Sequence, residues 1–540
     1  MTKSNINGPD RDWTAPLRVM QIGLLAVVLA AAPFKPFELD RFFVPKELVL
    51  HLTAAIAGVM CLARSRRVAP SLVDFLLALF VALSTASAAF AADGWYAVRA
   101  LGITVSGAVL FWCARALVRA GHRRPLVAAL SAAAVLAAAT SLAQVYGVRT
   151  EYFSLNRAPG GTFGNRNFVA HLAAVGAPLL VLSTLAARRW ASVSLGTIGL
   201  AATAAVLVLT RSRAAWLGAL VAAVPALWAG VRAARLPDGG RVVRRALLLV
   251  VAIGGGAAVS LALPNTLNWN SDSPYLDSVR GVVNYQEGSG HGRLVQYRNS
   301  LRMALAHPLL GVGPGNWSAY YPRFASENDP SITDAGVTAN PWPSSDWAAF
   351  AAERGLPAAL LLGLAMLGVA GWSVAGVVRA ADADQALTAG ALGATLTATL
   401  VVGAFDAALL LAAPACFCWI ALGTLAPARE GKRAFSLGGR RALAGAIAAA
   451  GLMFAGRSAL QLVSMQLYGD GTSIAAAARA AKADPASYRV QVRLAEAYAR
   501  RGECTKARPH AVAALALYPD APQARRAAAA CGVKRKARGQ

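Results

Sequence analysis

The sequence predicts an all-α fold: a polytopic membrane helix bundle of about thirteen spans, with a large extramembrane loop and a small soluble α-helical tail. Hydrophobic residues make up 56% of the 540 residues, and the mean hydropathy is +0.48. The apolar residues form long runs, and roughly 20 such residues cross the hydrocarbon core of a bilayer. The polar residues are concentrated in one internal segment and in the C-terminal tail.

Thirteen apolar runs predict the spans of a membrane domain that covers residues 1–468. The first run lacks a small-residue cleavage site and is followed by further spans, so we expect a span and not a removable signal peptide. The runs are centred near residues 25, 55, 81, 107, 134, 176, 200, 221, 254, 363, 395, 416 and 449.

The formal net charge of +27 lies mostly in short loops, which argues against a nucleic-acid partner. Basic clusters follow every second span, and the intervening loops carry few charges, which is the positive-inside pattern. We therefore expect the N-terminus and the basic loops in the cytoplasm, and the large loop and the tail on the opposite side. The basic clusters lie at residues 64–67, 115–124, 188–189, 232–245 and 429–441.

Residues 264–350 form the large loop, which is polar, aromatic and rich in arginine. Such a segment adds nothing to membrane anchoring, so we expect it to carry the function as a lid over the site. Its Gly311–Gly315 turn looks like a phosphate-cradling loop, but it lacks the Lys-Ser/Thr pair and follows no predicted strand. We interpret the turn as one that folds the loop back over the bundle.

The tail, residues 471–540, is alanine-rich, charged and helical in period. Pro485 and Pro519 recur at a spacing of 34 residues, which is typical of tetratricopeptide repeats. Fewer than three repeats seldom stand alone, so we expect the tail to lean on the large loop or on a partner. A generic helical hairpin is the alternative.

Two of the six cysteines, Cys504 and Cys531, lie in the tail. They fall at the start of one predicted helix and the end of the next. A disulfide is expected if the tail lies outside the cytoplasm, the alternative being two buried thiols. The other four lie in or beside spans, where cysteine packs as a small apolar side chain.

Four segments carry the most distinctive residues: GTFGNRNF at 161–168, TRSRAAWLG at 210–218, the run from Gly292-Arg293 to HPLLGVGPGN, and DWAAFAAERGLP at 346–357. In this order and spacing, over residues 70–425, the chain resembles the O-antigen ligase and O-antigen polymerase (Wzy-like) superfamily. The resemblance implies a metal-independent GT-C-type glycosyltransferase without a cofactor. Its members take a glycan from undecaprenyl diphosphate at the periplasmic face of the bacterial inner membrane. Their acceptor is lipid A core in lipopolysaccharide biosynthesis, another lipid-linked glycan, or a protein.

The resemblance implies that Arg293, together with Arg211 or Arg213, binds the diphosphate or is needed for activity, so Arg211, Arg213 and Arg293 are the candidate donor-binding residues. A guanidinium is always charged and offers a planar fork to phosphate oxygens, so it suits a diphosphate leaving group. Interface snorkelling is the alternative for the first two. Arg298 and Arg302, further along the same segment, fit a solvated helix face equally well.

The family's histidine, nine residues before the glutamate of the last segment, is Ser344 here. Serine without its own base is a poor general base. Three interpretations follow: Asp346, His291 or His307 takes over; the displacement needs no strong base; or activity is lost and the chain is a scaffold for glycan assembly.

Further candidates complete the predicted site. Trp342 and Trp347 are candidate platforms for sugar rings, although such residues also form interfacial belts. Asn167 and Asp406 are supporting residues. For Asp406 we favour a salt bridge with a motif arginine, the alternative being a direct catalytic role. A transporter is the rival class, but it predicts ionisable residues at mid-membrane in interrupted helices, whereas the polar motifs here gather at one face.

Overall fold

The computed structural model describes residues 12–533 except residues 155, 270, 282–287, 327, 430, 432, 470–472 and 520. The prediction of an all-α membrane bundle is confirmed, and each of the thirteen predicted span centres lies in a helix of its own. Eleven of the helices described are long and apolar enough to cross a membrane, and two of the thirteen, Thr14–Leu29 and Ala412–Leu425, are shorter apolar helices.

The span helices occur in two blocks that flank the large loop. The first block is α1 (Thr14–Leu29), α2 (Asp40–Arg64), α3 (Leu72–Ala89), α4 (Gly94–Arg119), α5 (Arg123–Val145), α6 (Arg166–Ala186), α7 (Trp190–Thr210), α8 (Arg213–Ala234) and α9 (Gly239–Ala262). After the loop come α14 (Leu356–Val378), α15 (Ala383–Phe405), α16 (Ala412–Leu425) and α17 (Leu437–Gly469).

Short helices occupy the loop and the tail. The loop holds α10 (Pro274–Arg280), α11 (Gly288–Ala306), α12 (Trp317–Tyr320) and α13 (Asp346–Arg354). The tail holds α18 (Ile474–Ala483), α19 (Tyr488–Arg500), α20 (Cys504–Leu517) and α21 (Pro522–Ala529).

The basic loops meet at one end of the bundle, which we call the basic end. There β1 (Arg67–Val68) pairs antiparallel with β2 (Arg433–Ala434). Arg123 donates to the carbonyl of Ala426 over 2.9 Å. The four motif segments all lie at the opposite end, which we call the outer end.

The glycine turn of the large loop docks on the corner between α3 and α4. Gly313 has φ +98°, and a β-carbon there would lie 2.3 Å from that of Ala91. The Asn316 side chain accepts from the backbone N–H of Asp93 over 2.9 Å. Because only glycine permits this approach, the turn holds the loop over the bundle.

The tail packs against the outer end of the bundle. The Trp95 indole donates to Oδ1 of Asp484 over 2.7 Å, and the Tyr96 hydroxyl donates to the carbonyl of Ala486 over 3.0 Å. Val337 of the large loop packs against the same apolar cluster of the tail. The four tail helices follow one another in two pairs, and their assignment as tetratricopeptide repeats stays a prediction.

A disulfide joins the last two helices of the tail. Cys504 is the first residue of α20, Cys531 follows α21, and their Cα atoms are 5.1 Å apart. Cys61, Cys113, Cys416 and Cys418 are free and buried.

Candidate functional site

The first turn of α6 is the element around which the candidate site is built. Asn165 caps this helix, because its side chain accepts from the backbone N–H of Asn167 over 3.0 Å. Gly164, at φ +70°, precedes the cap and lies against the ring of Phe42. The cap therefore fixes the residue at which α6 begins, and with it the directions of the side chains in its first turn.

A cluster of arginines surrounds Trp269 beside this turn. The guanidinium carbons of Arg166 and Arg211 lie 5.0 and 4.6 Å from the indole centroid. Arg211 ends α7 in the left-handed conformation, at φ +55°, and its Nε donates to the hydroxyl of Ser278 over 2.8 Å. Arg213 donates to the carbonyl of Gly281.

This arginine cluster has little negative charge close by. Among the described residues, no carboxylate oxygen lies within 4 Å of the guanidinium of Arg166, Arg211 or Arg293. Burial lowers the pKa of Arg211, although an arginine keeps its charge at neutral pH. The cluster therefore offers positive charge to an anion from outside the chain.

A polar triad of Asn167, His171 and Asp406 lies beside this turn, with His171 one turn further along α6 than Asn167. Nδ2 of Asn167 is 3.2 Å from Oδ2 of Asp406, and Nε2 of His171 is 3.7 Å from the same oxygen. The salt bridge between Asp406 and a motif arginine is absent from the described residues, where the basic side chain within 4 Å of this carboxylate is His171. Asp406 ends α15 and so meets α6 at the outer end.

His171 is 1% exposed, and neither ring nitrogen makes a hydrogen bond within the described residues. The charge of Arg293, which is half-buried on α11, acts on this imidazole. Nε of Arg293 is likewise buried without a hydrogen-bond partner. The structure thus brings the predicted Arg293 next to a histidine that our sequence analysis did not select.

Asp346 anchors the loop to the bundle. Its carboxylate is fully buried and accepts from the backbone N–H groups of Ala408, Leu409 and Leu410 at 2.8–3.3 Å. Gly403 allows the approach, since a β-carbon there would lie 2.6 Å from Oδ2. Burial raises the pKa of Asp346 to about 7, because its effect exceeds that of the three N–H groups, whose hydrogen bonds lower the pKa. Its oxygens are occupied, which favours an anchoring role over that of a base.

The serines of the predicted base position are held by backbone contacts. Gln296 accepts from the N–H of Ser344, and the Tyr297 hydroxyl lies 3.0 Å from the Ser344 carbonyl. Ser345 caps α13, where its hydroxyl accepts from the N–H of Ala348 over 3.4 Å. Neither serine hydroxyl has a basic partner among the described residues that would activate it.

The two predicted loop histidines are exposed. His307 packs edge-on against Tyr320, with 6.0 Å between ring centroids, and its carbonyl accepts from the N–H of Gly311. These contacts fit a role in the turn. His291 lies two residues before Arg293 at the start of α11 and faces solvent.

The two predicted sugar platforms have different surroundings. Trp347 donates to the carbonyl of Leu400 over 3.2 Å and packs inside the bundle. Trp342 packs edge-on against Phe43 at 5.1 Å and against Phe168 at 6.0 Å, and it lines a cavity at the outer end. Phe168 in turn contacts the His171 ring at 6.0 Å. Only Trp342 is therefore placed to meet a ligand in that cavity.

The sequence of this region matches a known family. Residues 198–363 match the family model described as O-antigen ligase. The match covers just under a third of the chain, and over these residues the protein is similar to O-antigen ligases. No curated protein sequence matches the chain. The O-antigen ligase match includes the predicted Arg211, Arg213, Arg293, Ser344 and Asp346, whereas Asn167, His171 and Asp406 lie outside it.

His171 is thus the functional candidate that sequence reasoning missed, and it lies outside the residues that match the O-antigen ligase model. A lone histidine in an apolar run more often packs than reacts, and its partners Asp406 and Arg293 are distant in sequence. One feature of the sequence could have identified His171: it lies in a predicted span, where ionisable residues are functional candidates by default.

Proposed function

We propose that this protein transfers a glycan from an undecaprenyl-diphosphate donor to an acceptor at the periplasmic face of the bacterial inner membrane. The family supports a membrane glycosyltransferase role in polysaccharide assembly. The observation that carries the finer proposal is the pair of guanidinium groups, Arg166 and Arg211, on either side of Trp269 at the outer end. Among the described residues, the charge of Asp277 acts on Arg211 from beyond 4 Å.

The donor diphosphate would bind between Arg211, Arg213 and Arg293. As the bond between the anomeric carbon and the diphosphate oxygen breaks, that oxygen gains negative charge. Preorganised donors stabilise such charge by about 3–4 kcal/mol each. The first turn of α6 adds the positive end of a helix dipole.

We infer that His171 accepts the proton of the acceptor hydroxyl. The hydroxyl oxygen bonds to the anomeric carbon, the lipid diphosphate leaves with its bonding electrons, and the proton passes to the imidazole. Asp406 would stabilise the imidazolium, and the Asn167 amide would hold the carboxylate in place. An adjacent carboxylate commonly orients a catalytic histidine in this way. His171 would thereby fill the role left open by Ser344.

The outer end is proposed to face the periplasm. Basic loops at the other end follow the positive-inside pattern. The disulfide of the tail supports the same orientation, because disulfides persist in oxidising compartments.

A second candidate function is a catalytically inactive scaffold for glycan assembly. The serine at position 344 favours it, because a base at that position is absent. Transfer of glycan by the purified, unmodified protein from a lipid-linked donor would exclude this candidate.

The replacement Arg293→Ala tests the main proposal. We expect surface glycan to be lost while protein abundance is unchanged. Arg298→Ala is the matched control, since Arg298 lies on the same helix and is exposed. Normal surface glycan in cells with Arg293→Ala would contradict the proposal.

A further inference from the structure

A cavity of about 450 Å³ lies at the outer end, where the bundle, the large loop and the tail meet. Small-molecule sites occupy about 300–1,000 Å³, so the cavity has the size of a ligand site. Aromatic rings from all three parts face it. They are Tyr96 of α4, Trp342 of the loop, and Tyr488 and Tyr518 of the tail.

The carboxylates of the cavity are engaged by the protein itself. Arg99 holds Asp40 at 2.8 Å and Glu47 at 2.7 Å. Asp484 accepts from the Trp95 indole. Since the guanidinium and carboxylate groups of the wall are equal in number, the cavity favours an uncharged polar ligand over an ion.

Arg354 leaves hydrogen-bonding capacity open in this wall. The side chain is 1% exposed, and its Nη2 donates to the hydroxyl of Thr104 over 2.9 Å. Nε and Nη1 make no hydrogen bond within the described residues, and the closest acidic oxygen, on Glu353, is 3.5 Å from Nη1. Buried donors normally have acceptors, so these two nitrogens leave Arg354 with unmet hydrogen-bonding capacity close to the cavity.

We propose that this cavity binds the saccharide end of the acceptor, as an uncharged oligosaccharide, and that the tail forms one wall of the site. The inference rests on the proposed function and adds the class of acceptor and a role for the tail. Hydroxyl groups of a sugar meet the guanidinium donors, and its C–H faces pack on the aromatic rings.

The position of Trp342 connects the cavity to the proposed chemistry. Its ring lines the cavity and contacts Phe168, which contacts His171. Phe168 therefore lies between the cavity wall and the histidine of the proposed site. The arginine cluster around Trp269 is left free for the donor.

To test the proposal, the cavity is filled by tryptophan substitutions in two of its walls, each made in the full-length protein. Ser487→Trp adds bulk from the tail, at a helix cap that makes no side-chain cap bond, and Ala339→Trp adds it from the loop. Lys482→Trp, an exposed tail position outside the cavity, is the matched control. The probe is the mixture of neutral oligosaccharides released by mild acid from the host's surface glycoconjugate. Binding is measured by saturation-transfer NMR, and transfer is measured against acceptor concentration.

We expect the unmodified protein and the control to bind the oligosaccharides, and both filled variants to lose binding at least tenfold. The KM for the acceptor rises similarly, whereas the KM for the donor is unchanged. Binding by the filled variants equal to that of the control overturns the proposal, as does absence of binding to the unmodified protein. If binding follows the expected pattern but no transfer occurs, the cavity assignment stands and the proposed function fails.

Discussion

The side-chain amide of Asn167 lies 3.2 Å from the carboxylate of Asp406, although 239 residues separate them in the chain. This contact joins the outer start of α6 to the outer end of α15. It fixes the carboxylate that His171 approaches at 3.7 Å. The candidate site therefore depends on two helices that flank the large loop as well as on the loop itself.

Replacing His171 with asparagine is expected to lower kcat by about 10²–10⁴-fold, the usual contribution of a general base. Donor KM should change little, because the arginines remain. His307→Asn is the control, since His307 is exposed and packs on Tyr320. Rates are measured with purified protein and lipid-linked donor. Full activity of the His171 variant would refute its role, and loss of activity in His291→Asn would move the role to that residue.

The exchange Arg211→Lys is expected to weaken donor binding and to lower kcat about 10²-fold. Lysine keeps the charge but loses the planar fork that matches a diphosphate. The measurement is the KM for the donor together with kcat. Arg302→Lys, on the exposed face of α11, should behave as the unmodified protein. Equal effects at both positions would point to a general charge effect and not to a binding site.

The variant Asp346→Asn is expected to unfold at lower temperature, because an amide cannot accept from all three backbone N–H groups. Leaving a buried N–H without an acceptor costs roughly 1–3 kcal/mol. The folded-state pKa of about 7 is raised above the usual value of 3.8. The protonated carboxyl of Asp346 is therefore favoured in the folded state. Its contribution to the free energy of unfolding is complete below about pH 4 and is lost as the pH rises through about 7.

Thermal unfolding in detergent between pH 4 and 8 checks this prediction. The Asn variant should lose part of the pH dependence of the melting temperature. Asp334→Asn, at an exposed position of the loop, is the control. Identical pH dependence in the Asp346 variant and the unmodified protein would show that this carboxyl does not contribute.

Alkylation of the denatured protein should modify four cysteines without reduction and all six after it. The difference reports the bond between Cys504 and Cys531, and intact-mass spectrometry measures it. Replacing both by serine is expected to destabilise the tail by about 3 kcal/mol, a typical value for a closed loop of this size. Modification of six cysteines without reduction would contradict the disulfide.

Single cysteines at exposed loop positions test the orientation. A membrane-impermeant maleimide should label Thr150→Cys in intact cells and Arg235→Cys only after permeabilisation. The first position lies in the loop between α5 and α6, and the second lies at the basic end. The reverse labelling pattern would invert the proposed topology.

The span helices could be predicted because each is a long apolar run, and hydropathy reports that property locally. The end of the bundle at which the candidate arginines lie could also be predicted. The basic loops mark one end of each span, and these arginines fall in the loops at the other end. His171 and its partnership with Asp406 could not be predicted, because no local pattern reports which span ends meet. The ion pair of Glu47 with Arg99 was missed for the same reason, although both residues lie inside predicted spans.

The unbroken course of α17 fixes the height of the cavity above the basic end. About sixteen residues separate Arg441 at that end from Arg457 in the cavity wall, or about 24 Å at 1.5 Å per residue. This length is close to the roughly 30 Å of a bilayer's hydrocarbon core. With the basic end at the cytoplasmic headgroups, as proposed, this length would bring the cavity close to the opposite surface of the bilayer. A glycan attached to a lipid reaches it while its anchor stays in the membrane, so the enzyme would select acceptors by how far their sugars stand from the bilayer surface.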